Sequence, residues 1–266
     1  MATVNSLDGT TIAFDRIGTG PAVVLVGGAI QYRAFDPSSA RLAQLLAERF
    51  TVFHYDRRGR GASGDTQPYA PEREIEDLAA LIEAAGGTAM VFGMSSGCGL
   101  VLDAAQRGLG ISRIALYEPP FIVNDSRPPL PADYVAHLTA LAAGGKRDAA
   151  VEYFMVNAAG VPAAYLSGMK QDPSWQGMTA VAHTLAYDGA FVADTMMGRP
   201  LPVDRWRNVS VPTLVMDGGA STEWMHSAAA ALATLLPRAE RRTLEGQDHM
   251  VDPEVLAREL VRFFQP

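Results

Sequence analysis

The sequence predicts an α/β fold in which a mostly parallel central sheet carries helices on both faces. Short apolar runs bounded by glycine or proline alternate with longer helical patterns, the order expected of such a sheet. Most of these runs are apolar throughout, which is typical of strands that are covered on both faces. A chain of 266 residues is also long enough to bury a core of this kind.

The strands are predicted from the spacing of their apolar residues and from the glycine and proline residues that bound them. TIAFDRI (11–17) alternates polar and apolar residues, whereas the other predicted strands are continuous apolar runs. These runs are AVVLVGG (22–28), FTVFHYD (50–56), TAMVFG (88–93), RIALYE (113–118) and PTLVMDG (212–218).

Helical patterns lie between the strands and after them. EREIEDLAALIEAAGG places Ile75, Leu78 and Ile82 on one face, and DPEVLARELVRFF begins with Asp252 as its predicted N-cap. The alternation of strands and helices breaks after YEPPF, where proline-punctuated helical segments follow. We therefore predict a core formed by residues 1–120 and 208–266, and a helical lid inserted over residues 121–207.

Composition excludes several classes of protein. No apolar stretch reaches the roughly 18 residues of a membrane span, and no Lys/Arg cluster is interleaved with aromatic residues as on a nucleic-acid-binding surface. The first residues lack the basic and apolar segments of a secretory signal, and the single cysteine, Cys98, cannot form an internal disulfide. We expect a cytoplasmic protein with a small-molecule substrate and with neither nucleic acid nor membrane as partner. The oligomeric state stays open, with a homodimer among the options.

Residues 93–97, GMSSG, fit the pattern G-x-S-x-G between a predicted strand and a predicted helix. A sharp strand-to-helix turn holds the central residue, Ser95, in a strained conformation at the helix N-terminus, and the flanking glycines let the backbone turn tightly. The amide of Ser96 can then point at a developing oxyanion. Serines between glycines also occur in ordinary turns, so the motif gains weight from its flanking strand and helix.

A resemblance to a known family rests on four segments and on their order: GPAVVLVGGA, YDRRGRGASG, GMSSG and LEGQDHM. On these segments the chain resembles the α/β-hydrolase superfamily over nearly its whole length. The resemblance implies a serine-nucleophile, lid-bearing fold close to small bacterial esterases and lactonases. It implies that residues 56–64, which look like D-x-R-G-x-G-x-S, are structural. The turn VGGA (26–29) resembles the one where the superfamily commonly has His-Gly, which implies the amide of Ala29 as second oxyanion donor, with Ile30 as the neighbour to test.

A nucleophilic serine needs a base, because its hydroxyl is barely ionised at neutral pH. The sequence has five histidines. His249 lies in a loop just before the last helix, where the resemblance implies the general base. The other four are expected to be structural or to face substrate: His54, His137, His183 and His226.

The third member of a triad is not where the superfamily commonly has it. A G-x-x-D segment follows the penultimate strand in many members, but residues 218–221 read GGAS here, and Ser221 is interpreted as the N-cap of the following helix. Asp217 and Glu223 are possible substitutes. We favour Glu118, because haloalkane dehalogenases and some relatives carry their acid after the corresponding strand. The alternative is a buried glutamate that braces the lid, while Asp248 is interpreted as a loop anion.

Together these residues predict a serine hydrolase that cleaves an ester, thioester or lactone of a small or medium apolar compound through an acyl-enzyme on Ser95. His249 and Glu118 complete the triad, and the Ser96 and Ala29 amides form the oxyanion hole. No cofactor and no metal are predicted. Two alternatives stay open: a non-hydrolytic enzyme of specialised metabolism, such as a cyclase, a lyase or a carbon–carbon bond-cleaving enzyme, and a small-ligand-binding protein with vestigial activity.

Overall fold

An eight-stranded sheet organises residues 1–265, the part of the chain that the computed structural model describes. Its strands are β1 (Ala2–Asn5), β2 (Thr11–Ile17), β3 (Ala22–Val26), β4 (Thr51–Tyr55), β5 (Ala89–Met94), β6 (Ile111–Tyr117), β7 (Thr213–Gly218) and β8 (Ala239–Leu244). They lie in the order β1-β2-β4-β3-β5-β6-β7-β8. Strand β2 pairs antiparallel with β1 and β4, and every other neighbouring pair is parallel. This architecture confirms the predicted fold class.

Helices cover both faces of the sheet. They are α1 (Pro37–Leu46), α2 (Pro71–Ala84), α3 (Gly97–Gln106), α4 (Tyr134–Ala143), α5 (Arg147–Asn157), α6 (Leu166–Met169), α7 (Ser174–Ala180), α8 (Leu185–Val192), α9 (Glu223–Leu235) and α10 (Pro253–Phe264). Alternate residues of β3 pack into two separate apolar clusters, Val24 and Val26 on one face and Val23 and Leu25 on the other. Among the described residues, none of these helices combines the length and apolar character that crossing a membrane would demand.

Two edge strands escaped the sequence analysis. Strand β1, at one edge of the sheet, has only four residues. Strand β8, at the other edge, contains the charged residues Glu240, Arg241 and Arg242. An edge strand covered on one side can hold charged side chains, so β8 lacks the apolar run that identified the inner strands. The predicted N-cap of the last helix is confirmed, because one Asp252 oxygen accepts hydrogen bonds from the amides of Glu254 and Val255.

Helices α4 to α8 lie between β6 and β7. Within this segment α7 ends at Ala180, and a 3-10 turn over Ala182–Thr184 separates it from α8. The two ends of this segment meet, because Phe121 and Trp206 stack with their ring centroids 5.4 Å apart. The Trp206 indole also donates a 2.7 Å hydrogen bond to Asp103 of α3. Both ends are therefore anchored on the helix that follows the GMSSG turn.

Strand β4 carries a buried histidine. His54 is 8% exposed, and its Nε2 lies 3.1 Å from the Ser39 hydroxyl. Burial lowers the pKa of His54, and the nearby Arg33 guanidinium lowers it further. In the unfolded chain the pKa of this histidine is about 6.5. As pH falls through that value, His54 is protonated in the unfolded chain but stays neutral in the folded one, so the free energy of unfolding decreases.

We expect His54→Gln to weaken this pH dependence. Glutamine stays neutral, so the free energy of unfolding should fall less steeply than in the wild type between about pH 7.5 and about pH 5.5. A residual slope should remain, because burial also lowers the pKa of His183. Urea unfolding across this range measures the slope, with His137→Gln on the exposed side of α4 as control. Equal slopes in His54→Gln and the wild type would contradict the prediction.

Candidate active site

Three non-glycine residues among the described positions adopt left-handed backbone conformations: Ile30, Ser95 and Glu118, with φ of 56°, 52° and 49°. Ser95 and Glu118 directly follow β5 and β6, and Ile30 lies in the loop after β3. Such conformations cost about 1–3 kcal/mol each and cluster at functional sites. Strands β3, β5 and β6 are neighbours in the sheet. Their carboxyl edge is therefore the candidate site.

The Ser95 turn is held by backbone contacts and by missing side chains. The Ser95 amide donates to the Tyr117 carbonyl at 2.9 Å, which ties the turn to the end of β6. A Cβ added to Gly97 would lie 2.7 Å from the Val26 carbonyl oxygen, and one added to Gly28 would lie 2.9 Å from the Ser95 Cβ. The close approach of the Ser95 turn and the loop after β3 therefore requires glycine at both positions.

A cavity of about 890 Å³ opens at this edge, and the five residues predicted for the site all line it: Ala29, Ser95, Ser96, Glu118 and His249. Its size is within the range of small-molecule sites. The other four histidines are not among its described lining residues, and neither is Ile30, the alternative to Ala29. Tyr134 and Phe154 of the segment between β6 and β7 form part of its wall.

The amides of Ser96 and Ala29 donate no hydrogen bond to any acceptor among residues 1–265. Main-chain amides of buried and partly buried residues usually have a hydrogen-bond acceptor, so two amides without one beside Ser95 are unusual. We call these two amides the open amides. Ser96 also precedes the first residue of α3, where the helix dipole favours negative charge. Both donors are thus available to an anion in the cavity.

Glu118 is fully buried, and three groups hydrogen-bond its carboxylate. One oxygen accepts from the Gly218 amide at 2.9 Å and from the Ser221 hydroxyl. The other is 2.7 Å from Nδ1 of His249, whose side chain is 41% exposed. A buried carboxylate needs such partners. The structure therefore joins Glu118 to His249, whereas no hydrogen bond within residues 1–265 joins the Ser95 hydroxyl to His249.

The interpretation of Ser221 as a helix N-cap is wrong. Helix α9 begins at Glu223, the preceding position is Thr222, and the Ser221 hydroxyl bonds to Glu118 instead. The Ser221 hydroxyl donates to a buried carboxylate, which needs such a donor because its charge is removed from water. Ser221 thus occupies the place of the usual aspartate and supports the carboxylate that lies elsewhere.

The alternative acids lie apart from His249. Asp217 is buried and accepts two 2.8 Å hydrogen bonds from Arg241 and one 2.6 Å hydrogen bond from His226. Burial acts to raise the pKa of Asp217, but the hydrogen bonds from Arg241 and His226 outweigh it and lower that pKa. Glu223 is exposed at the start of α9. Neither carboxylate hydrogen-bonds His249.

A buried carboxylate on α8, Asp188, connects the two loops that carry the open amides. It accepts the Ser96 hydroxyl at 2.8 Å and one N–H each from Arg57 and Arg60 at 2.6 Å. Burial acts to raise the pKa of Asp188, but Arg60 and Arg57 lower it. Both arginines also donate to the loop after β3, Arg57 to the Gly27 carbonyl and Arg60 to the Gly28 carbonyl.

Sequence reasoning assigned residues 56–64 a structural role and missed Asp188. Arg57 and Arg60 of that segment give the signal that could have found it, because buried guanidinium groups require carboxylate partners. The position of the partner carries no such signal, since Asp188 lies 131 residues after Arg57 in a helix with no recognisable motif.

Comparisons with known proteins agree with this fold. The model of the Alpha/beta hydrolase family matches residues 22–259. An alpha/beta hydrolase from Sphaerobacter thermophilus DSM 20745 has 56% sequence identity and a TM-score of 0.91, with 99% of this chain and 100% of that chain covered. No curated protein matches the sequence.

Two other solved structures share the fold at lower identity. A thermophilic esterase from Thermogutta terrifontis has a TM-score of 0.70 at 20% identity, covering 99% of this chain and 97% of that one. An N-formylmaleamic acid deformylase from Pseudomonas putida S16 has a TM-score of 0.64 at 21% identity, covering 97% and 99%. At these identities the likeness shows the fold alone.

We expect Asp188→Asn to lower the free energy of unfolding by about 3–5 kcal/mol. Asparagine keeps the shape of the side chain, but Arg60 loses its one carboxylate partner among residues 1–265 and Arg57 keeps only Glu74. Urea unfolding measures the difference. Asp194→Asn is the matched control, because Asp194 is exposed and its partner Arg205 keeps Asp103; it should cost less than about 1 kcal/mol. Equal losses in the two variants would contradict the prediction.

Proposed function

The chain belongs to the alpha/beta hydrolase family, and from this premise we propose that it is a serine hydrolase with its nucleophile at Ser95. Its substrate is an ester, thioester or lactone of a small or medium compound. One observation carries the proposal: the 2.7 Å contact between the His249 imidazole and the buried Glu118 carboxylate lies in the same cavity as the strained Ser95. Family membership and the esterase-like fold support hydrolysis in general.

The proposed reaction begins when Ser95 Oγ attacks the substrate carbonyl carbon and His249 takes the hydroxyl proton. Glu118 contacts Nδ1 of His249, so the proton goes to Nε2. Glu118 fixes this tautomer and balances the charge of the imidazolium. Because Glu118 is itself held by Gly218 and Ser221, the imidazole is oriented by a rigid group.

In the tetrahedral intermediate the carbonyl oxygen becomes an oxyanion, which accepts from the Ser96 and Ala29 amides. Each such donor contributes about 3–4 kcal/mol in well-studied hydrolases. Collapse expels the leaving group, which takes the proton from His249. Water, deprotonated by His249, then attacks the acyl carbon and releases the acid and Ser95.

We further propose that residues 121–207 form a lid that selects the substrate. Tyr134 and Phe154 of this segment line the cavity together with Val161 and Val192, which gives it an apolar wall. Such a wall favours an acyl compound with hydrocarbon character over a sugar or a peptide. Most other aromatic residues of the segment, such as Trp175 and Phe191, are buried in the core.

A fluorophosphonate should label the wild-type protein covalently on Ser95, as mapped by mass spectrometry. We expect no adduct in Ser95→Ala and slow labelling in His249→Ala and Glu118→Gln, because the hydroxyl then lacks an oriented base. His226→Ala is a matched control, since His226 also contacts a buried carboxylate but lies outside the cavity; its labelling rate should equal that of the wild type.

Absence of labelling in the wild type would refute an activated Ser95. The two rival functions would then be distinguished by recovery of the bound compound: a non-hydrolytic enzyme converts it, and a binding protein returns it intact.

The position of Ser221 offers a test of Glu118. We expect Glu118→Gln to lower kcat for ester hydrolysis by about 10²- to 10⁴-fold, because the imidazolium loses its counter-charge. Adding Ser221→Asp should restore at least about tenfold of this loss, since position 221 adjoins the same carboxylate site. Glu118→Gln with Thr222→Asp is the control, a new carboxylate on an exposed neighbouring residue, and should restore nothing. Equal kcat in the two double variants would contradict the assignment of Glu118.

A further inference from the structure

The cavity wall contains an arginine that no carboxylate neutralises. Arg127 lines the cavity, and its guanidinium lies 4.5 Å from the centre of the Trp224 ring, another lining residue. It donates to the main-chain carbonyls of Asn157 at 2.7 Å and Ala158 at 3.0 Å. These bonds use two of its five N–H groups. The other three have no acceptor among residues 1–265.

Three other buried or partly buried arginines contrast with Arg127. Arg33 pairs with Asp15 and Asp56, Arg58 with Asp8 and Asp77, and Arg205 with Asp103 and Asp194. In each case burial acts to lower the pKa of the guanidinium, but the carboxylates outweigh it and raise that pKa. Burial lowers the pKa of Arg127, because no carboxylate offsets it. Among the described residues that line the cavity, the charge of Arg127 is therefore uncompensated.

The carboxylates that share the cavity have other partners. Glu118 contacts His249, Asp188 is held by two arginines, and the Asp248 side chain accepts the Met250 amide. Among the described lining residues, Arg127 is the single lysine or arginine. The cavity thus presents one partly buried cation with free donors among lining residues that are mainly uncharged.

We propose that Arg127 binds a carboxylate of the substrate, so that the compound hydrolysed at Ser95 is an ester whose acyl part ends in a carboxylate. This inference rests on the proposed function. A guanidinium presents parallel N–H groups that match the two oxygens of a planar carboxylate. The two main-chain carbonyls and the Trp224 ring fix the plane of the group before substrate arrives, so little side-chain entropy is lost on binding.

The experiment compares para-nitrophenyl hemiesters of succinic, glutaric, adipic and pimelic acid with the corresponding methyl-capped diesters. All share one leaving group, so the ratio of kcat/KM within each pair reports recognition of the free carboxylate. We expect the wild type to prefer the hemiester at one or more lengths by about 10- to 100-fold, the usual effect of a charge-assisted hydrogen bond. Arg127→Met should bring this ratio close to one, and Arg127→Lys should give an intermediate ratio.

The matched control is Arg113→Met. Arg113 also donates to a main-chain carbonyl, that of Phe263, and lies over an aromatic ring, but it is outside the cavity. Its ratio should equal that of the wild type. If Arg127 serves only to hold the carbonyls at the end of α5, Arg127→Met will lower hydrolysis of both esters together and leave the ratio unchanged, which would overturn the proposal. A wild type that prefers the diesters at every length would do the same.

A binding measurement separates this inference from the proposed function. Calorimetric titration of Ser95→Ala with monomethyl glutarate and dimethyl glutarate needs no turnover. If the wild type hydrolyses neither ester, the proposed function fails, yet tighter binding of the monomethyl ester that is lost in the Ser95→Ala, Arg127→Met double variant still supports the carboxylate site. Equal binding of both glutarates, or preference for inorganic phosphate over monomethyl glutarate, would overturn it.

Discussion

The buried Asp188 carboxylate is the constraint on which the geometry of the site depends. It is held by Arg57 and Arg60, which in turn reach the carbonyls of Gly27 and Gly28, and it accepts the hydroxyl of Ser96. Burying these charges is unfavourable unless every one is paired, so the network forms completely or not at all. The loop after β3, the turn after β5 and helix α8 are consequently fixed relative to one another by one group.

This arrangement explains why a segment without catalytic side chains contains so much charge. Arg57 and Arg60 of residues 56–64 are not among the described lining residues of the cavity, yet they connect the two loops that carry the open amides. An oxyanion hole works because its donors are in place before charge develops, which requires that their backbone cannot relax. The glycine contacts act in the same direction, since Gly28 and Gly97 allow the two loops to approach more closely than any side chain would permit.

Local sequence patterns predicted part of the site, and the polar partners around Glu118 and Ser96 were not predictable from them. The apolar runs and the GMSSG turn identified the inner strands and the Ser95 position, because both are local patterns. Glu118 was favoured on resemblance, and the structure joins it to His249. The role of Ser221 was wrongly predicted and Asp188 was missed, because each has its partner far away in sequence. Ser221 lies 103 residues after its partner Glu118, and Asp188 lies 92 residues after its partner Ser96. Long-range polar pairing leaves no period or motif.

The charge of the whole protein bears on how the cavity would recognise an anion. The formal net charge is −7, so the long-range field does not draw anionic compounds toward the molecule. The proposed recognition by Arg127 would then act at short range, after the substrate has entered, where a partly desolvated guanidinium interacts more strongly than one in water. Such a site changes the lifetime of the bound substrate more than its rate of arrival. Selectivity for a carboxylate would accordingly persist at ionic strengths that screen surface charges.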